Sequence, residues 1–229
     1  MLINIFGVGR SGTKALQLYL AYHFAKSEGK VNLNYEPYNF LSRQGGINYS
    51  GLYCHLNSKQ IINSATKLDQ YHKKFLKNLN HKNISTINKF VRANGRIGAI
   101  NDILKPELNI VLIRNLYEIL NSLARMKWDF TTVGSFFFKK INRNIWAKFI
   151  NELKEENKFN NINLDQIYKH DITLQNAIYW YALNKTALGF EKENTVFIDF
   201  TDLQNMQSLL KKQLPITLDE EFKEQKFLR

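Results

Sequence analysis

The chain opens with a short, mostly apolar, β-prone run from Leu2 to Val8 that stops at glycines, and Thr13 to Lys26 then repeats its apolar residues at helical spacing. A buried strand, a glycine-rich turn and a helix are predicted in that order. Further β-type runs lie at Val31 to Tyr35, Ile87 to Val91, Asn109 to Ile113 and Thr195 to Phe200, with helical patterns near Lys59 to Leu79, Leu116 to Met126 and Leu174 to Phe190. Strands alternating with helices predict an α/β domain around a mainly parallel sheet. Between Trp128 and His170 the alternation stops, and the sequence turns basic and aromatic, then polar and Asn-rich. Residues 128–170 are read as a helical insertion or lid within a single domain spanning 1–229. There is no internal repeat and no Pro/Ser linker, and the charged last fifteen residues are expected as a helix or a frayed tail.

Composition narrows the class. A chain of 229 residues with 44% hydrophobic content can fill a real core, which excludes a disordered basic tail. Lys plus Arg number 32 against 20 Asp plus Glu, a net charge of +12, so a polyanion is an expected partner. Nucleic acid, an anionic membrane surface, an acidic glycan, a phosphate-rich cofactor and a merely solvated basic surface all fit that balance. A lone cysteine, Cys54, excludes an intramolecular disulfide and a thiolate zinc cluster, and the five histidines have no metal-ligand spacing, so no metal is expected. The opening run is too short for a signal-peptide core, and no stretch reaches about 18 uninterrupted apolar residues. A cytoplasmic, soluble protein without a transmembrane segment is expected. The wealth of lysine and asparagine is also what AT-rich coding produces.

The chemistry concentrates in the turn Gly7-Val8-Gly9-Arg10-Ser11-Gly12-Thr13-Lys14, where a strand hands over to a helix. Successive backbone N–H groups there can form an anion nest at the positive end of the helix. A Walker A loop would run Gly, four residues, then Gly-Lys-Ser/Thr; Gly7 and Gly12 fit, but Thr13-Lys14 stands in reversed order and Arg10 lies inside the loop. An ordinary NTPase is disfavoured. The dinucleotide fingerprint fits only at Gly7, Gly9 and Gly12, without an acidic residue in the right role after the second strand.

The arrangement Gly-x-Gly-Arg-Ser-Gly-Thr resembles the 5′-phosphosulfate loop of sulfotransferases that use 3′-phosphoadenosine 5′-phosphosulfate (PAPS). The resemblance implies a P-loop-NTPase-like three-layer fold. It also implies that Arg10 holds the bridging oxygen and departing phosphate, while Gly9, Ser11, Gly12, Thr13 and Lys14 complete the cofactor-binding loop. A distant segment supplies the other half: Arg114 ends a β-type run and Ser122 follows eight residues later, as in the family's Arg and Ser that grip the 3′-phosphate. Ser122 would lie about 10 Å along the helix, a gap that a guanidinium and a phosphate span together. Lys89-Phe90-Val91-Arg92-Ala93-Asn94-Gly95-Arg96-Ile97 is similar to the strand and loop before the 3′-phosphate strand in carbohydrate-type members. Arg92 and Arg96 there meet an anionic acceptor or the donor, or form a solvated basic loop. The late segments NAIYWYALNKTAL and VFIDFTDL also look like the family's, with Tyr179, Trp180 and Tyr181 read as packing residues. The C-terminal Arg-Lys-Gly loop of small-phenol members is absent, which favours the glycan-modifying or bacterial-type branches.

Sulfuryl transfer needs in-line alignment, positive groups on the moving charge, and a base for the attacking hydroxyl. The second β-type run ends in Asn34-Tyr35-Glu36-Pro37-Tyr38; it is expected beside the first, and the carboxyl edge there is where an open α/β sheet places its ligands. Glu36 is the candidate base, and carbohydrate sulfotransferases carry a similar Glu-Pro; its alternative role is to neutralise a nearby Arg or Lys. His55, His170 and Asp102 are weaker rivals. The residues from Phe136 to Phe149 clamp a sugar ring or an acidic polymer, or form an amphipathic helix whose Phe and Trp face the core. The expected function is thus sulfuryl transfer from PAPS to a hydroxyl of a carbohydrate or another metabolite. The rivals are a P-loop kinase using ATP and Mg²⁺, a nucleic-acid-binding module acting through Lys73, Lys74, Lys77 and Lys82, and an inactive donor-binding protein.

Overall fold

A computed structural model describes residues 1–37, 70–81, 83–91, 93–126, 149–151, 153–154 and 172–218. Within them run β1 (Leu2–Gly7), α1 (Thr13–Glu28), β2 (Asn32–Tyr35), α2 (Gln70–Lys77), β3 (Thr86–Val91), α3 (Ile97–Leu104), β4 (Leu108–Ile113), α4 (Leu116–Arg125), α5 (Ile172–Leu188), β5 (Thr195–Asp199) and α6 (Leu203–Gln213). The five strands form one sheet in the order β2-β3-β1-β4-β5. Every pairing is parallel. The connection from β1 leads toward β2 and that from β4 leads the other way, so the crevice between them at their carboxyl ends is the sheet's switch point.

The layers follow from strand alternation. Ile3 and Ile5 join Ile87, Ile110, Leu112 and Ile198 in a core with Leu16, Leu20 and Phe24 of α1 and with Met206 and Leu210 of α6. Leu2 and Phe6 face the other way and pack with Phe90, Val111, Leu76 of α2, Ile97 and Ile100 of α3, and Ala187 of α5. Phe6 and Phe90 stack with ring centroids 5.3 Å apart. The result is a helix–sheet–helix sandwich of the P-loop-like kind. A third cluster joins Val8 of the glycine turn to Ile119 of α4, Tyr179 and Leu183 of α5, and Phe149, Ile150 and Leu153. It buttresses the turn from the side of the crevice.

One layer of the sheet is polar. Register places Asn34, Asn88, Asn4, Asn109 and Thr195 in a row across all five strands. Each amide donates to the next: Asn34 to Asn88 at 2.8 Å, Asn88 to Asn4 at 2.9 Å, Asn4 to Asn109 at 3.3 Å and Asn109 to Thr195 Oγ1 at 3.5 Å. Asn109 also donates to Asn101 of α3 at 2.7 Å, and Asn34 to the Leu79 carbonyl at 3.0 Å. Satisfied amides are tolerated in a core, and a slip of one residue would strand all of them among apolar side chains.

The α/β class and parallel sheet match the pattern read from the sequence, with two helices added. α3 (IGAINDIL) is eight residues long with a glycine at its second position. Such a segment is held by packing of Ile97, Ile100 and Leu104 rather than by propensity. α6 starts at Asp202, whose side chain accepts from the Asn205 N–H at 3.0 Å. Of the helical pattern near Lys59 to Leu79, the described helix is Gln70–Lys77. Of the expected 128–170 insertion, only residues 149–151 and 153–154 are described, and Phe149, Ile150 and Leu153 there are buried. The rest of both segments, and the charged residues 219–229, lie outside the described residues. Among the described residues, no helix is long and apolar enough to cross a membrane.

Asn4→Ala removes the acceptor of Asn88 and the donor to Asn109 in one step. At about 1–3 kcal/mol for each orphaned buried group, urea denaturation should show a loss of roughly 3 kcal/mol, with the m-value unchanged.

Candidate functional site

The glycine turn sits at the carboxyl end of β1, the central strand. Gly7 has no room for a side chain, because a Cβ would collide with Ser11 Oγ and Thr13 Cγ2. Gly12, the residue before α1, has φ +91°, and a Cβ there would run into the ring of Phe200. Gly9 opens on free space. α1 has no acidic residue in its first turn and no side-chain cap, so its N–H groups and positive dipole end stay available to an anion. Ser11 is fully buried, and its hydroxyl has no hydrogen-bond partner. An orphaned hydroxyl inside an uncapped glycine turn fits a phosphate or sulfate group. Thr13 is buried beside it, and Lys14 is exposed at the helix start.

The second half of the expected site meets the first. Arg10 Nε donates to Ser122 Oγ at 2.8 Å, and Arg114 Nη1 donates to the Arg10 carbonyl at 3.3 Å. Residues 112 apart in sequence are thus joined across the crevice between β1 and β4. The Arg114 guanidinium lies 5.0 Å from the Phe200 ring centroid, and Trp180 Nε1 donates to the Arg114 carbonyl at 3.1 Å. Arg114 Nε also pairs with Glu118 Oε2 at 2.6 Å, one turn into α4. Asn115 caps that helix by accepting from the Tyr117 N–H at 2.9 Å. The cap aligns Ser122 with the strand end.

Glu36 follows β2 directly, and its N–H continues the ladder onto the Lys89 carbonyl at 3.1 Å. β2 is not beside β1, because β3 lies between them. Lys89 of β3 fills the gap: its Nζ is 2.7 Å from Glu36 Oε1, with side-chain exposures of 2% and 22%. The same ammonium lies 3.6 Å from the Tyr35 ring centroid. Burial pulls the Lys89 pKa below the ordinary lysine value, Glu36 opposes that, and the charge of Lys14 adds to it. Tyr35 is raised, by desolvation first and then by the charge of Glu36 and a hydrogen bond to it, with Arg10 acting in the opposite direction. The fields of Arg10 and Lys14 therefore reach the group around Glu36. Both Arg10 (φ 71°) and Glu36 (φ 47°) sit in the left-handed region, where a non-glycine residue costs on the order of 1 kcal/mol or more.

Lys89, Glu118 and Phe200 are the parts that sequence reasoning left without a role. The available signal was a lysine inside an apolar β-type run, TINKFV, where a buried cation requires a counter-charge. Arg96 is placed in the turn Asn94–Arg96 after β3, 1% exposed, with no hydrogen-bond partner on any guanidinium nitrogen. It is not part of a solvated loop, and leaving such a cation uncompensated costs on the order of several kcal/mol. Arg92, His55, His170 and Lys82 lie outside the described residues. Asp102 is exposed on α3, which leads away from the crevice toward the start of β4. Lys73, Lys74 and Lys77 lie on α2, which leads to the amino end of β3. Tyr179 is buried against Phe149, and Trp180 and Tyr181 pack on the same cluster. Among the described residues, no group of three or more His, Cys, Asp or Glu is placed to hold a metal ion.

Among solved structures, the chain is similar to a sulfotransferase domain from the curacin biosynthetic pathway. The two are 15% identical, with a TM-score of 0.48 over 96% of this chain and 75% of that one. No protein-family model matches the sequence, and no curated protein matches it.

The Lys89 environment predicts a pH effect of defined sign. The folded chain releases this proton more readily than the unfolded chain, so from the lowered pKa up to 10.5 the unfolded state binds more protons and stability rises with pH. Above 10.0, the raised Tyr35 acts the other way. Urea denaturation from pH 8 upward should show a rise in wild type relative to Lys89→Met, because the variant keeps Tyr35 and loses only the lysine contribution.

Proposed function

We propose that the protein is a PAPS-dependent sulfotransferase that moves a sulfuryl group onto a hydroxyl of a carbohydrate or another metabolite. The observation that carries this reading is the junction of Arg10, Arg114 and Ser122 beside the uncapped N-terminus of α1. Two anion-seeking groups one crevice apart suit a ligand with two phosphates, and a single nucleotide phosphate chain needs only the first.

On this reading Gly9, Ser11, Gly12, Thr13 and Lys14 cradle the 5′-phosphosulfate through backbone N–H groups, the Ser11 hydroxyl and the Lys14 charge. Arg114 and Ser122 take the 3′-phosphate, for which Arg114 leaves Glu118 and Ser122 leaves Arg10. Arg10, freed from Ser122, is long enough to turn to the bridging oxygen, where negative charge grows as the S–O bond breaks. PAPS supplies an activated sulfuryl group and a stable bisphosphate leaving group. Glu36 accepts the proton of the attacking acceptor hydroxyl as the new O–S bond forms. Lys89 holds the Glu36 carboxylate in place through their ion pair. Arg92, on this reading, meets an anionic acceptor, while Arg96, 1% exposed, adds its charge from within the fold.

Calorimetric titration with adenosine 3′,5′-bisphosphate, beside ATP with Mg²⁺, tests the donor site. The bisphosphate should bind and ATP should not compete. Arg114→Ala should weaken binding by about 2 kcal/mol, roughly 30-fold in Kd. Binding of ATP alone would replace this reading with a kinase, and binding of neither would make the glycine turn structural. With an acceptor in hand, Glu36→Gln should lower kcat by about 10²–10⁴ while bisphosphate binding stays within a factor of about two. Equal loss of both would remove Glu36 from the role of base.

A further inference from the structure

Arg96 is the largest fully buried side chain among the described residues. Its Nε, Nη1 and Nη2 all lack hydrogen-bond partners, and no carboxylate among the described residues lies within ion-pairing distance. The turn that carries it packs against α5. At that contact Asn94 Nδ2 donates to Asn184 Oδ1 at 3.5 Å, which leaves Asn94 Oδ1 and Asn184 Nδ2 also without partners. All five orphaned atoms belong to side chains that are 0–3% exposed.

The inventory of these atoms is lopsided. A guanidinium offers five N–H donors and the Asn184 amide adds its own, against one carbonyl oxygen on Asn94. The residues on either side of the turn, Ala93 and Ile97, are buried in an apolar cluster, so the local dielectric is low. Water can satisfy hydrogen bonds there but cannot balance a charge. The missing group is therefore an acceptor that carries negative charge. It is also small, because the side chains that would receive it are almost wholly buried.

We infer that Arg96, with Asn184 and Asn94, forms a buried receptor for one small anion, a halide or a carboxylate-sized oxyanion, under the ligand-binding edge of the sheet. The place is defined by register: β3 pairs Val91 with Gly7, the first residue of the glycine turn, and the Arg96 turn begins at Asn94. The inference does not rest on sulfuryl transfer and holds for any activity at that edge.

The test is thermal unfolding of the full chain at constant ionic strength, with chloride or acetate replacing the bulky anion gluconate, for wild type, Arg96→Met and Arg114→Ala. At about a hundred times Kd the small anion should raise the wild-type midpoint by about 5 °C. Arg114→Ala should keep that gain, which separates the receptor from the exposed cations of the donor crevice, and Arg96→Met should lose it. Stabilisation by chloride assigns a halide, and stabilisation by acetate alone assigns a small free carboxylate. Wild-type crystals soaked in bromide give a reading that does not depend on how Arg96→Met folds, with an anomalous peak expected at the guanidinium. A gain retained in Arg96→Met, or no bromide at Arg96 in a chain that chloride stabilises, overturns the inference. So does bromide bound without any stabilisation, which is an adventitious ion only.

Discussion

A line of side-chain amides running through the sheet is the constraint on which the rest of the structure depends. Asn34, Asn88, Asn4 and Asn109 each need the neighbour that only one register supplies, so the strands are fixed against one another lengthwise. Apolar contacts alone are less exacting, since Ile and Leu exchange partners at little cost. With the register fixed, the carboxyl ends of β1, β3 and β4 come out level, and β2 stops two residues short of β3. Glu36, the glycine turn, the Arg96 turn and Arg114 then share one edge. All amides donate in the same sense from β2 toward β5, and hydrogen bonds in such a chain polarise and strengthen one another.

Strain and charge gather at that edge. Arg10 and Glu36 have left-handed backbone, Lys89 is a buried cation, and Ser11 has an unpartnered hydroxyl. Left-handed backbone at a non-glycine residue recurs at Lys105, which closes α3 on the way to β4, and the packed sheet and helices hold such local geometry in place. Three of the polar groups at this edge are engaged by the chain itself: Arg114 by Glu118, Ser122 by Arg10, Lys89 by Glu36.

Much of this was legible in the sequence because the signals were local. Leu2 to Val8 followed by glycines and an apolar helix is a strand, turn and helix by periodicity alone, and the Arg114 to Ser122 spacing puts one at the strand end and the other within the helix that follows. The pairing of Arg10 with Ser122 was not legible, since it depends on β4 lying beside β1. Nor was Lys89, because the strand order that brings it to Glu36 follows from crossover geometry. α3 escaped notice because eight residues with a glycine near the start carry little helical signal of their own. The asparagines had read as a compositional bias, and only the register reveals those within strands as a structural line.

Phe200 touches both halves of the crevice. Its ring fills the space that a side chain on Gly12 would take, and it lies against the Arg114 guanidinium. The anion nest and the arginine opposite are therefore referenced to one rigid planar object at the end of β5, which works as a gauge block between them. Any ligand anionic at both ends would be measured against that fixed width, so discrimination by length is built into the frame.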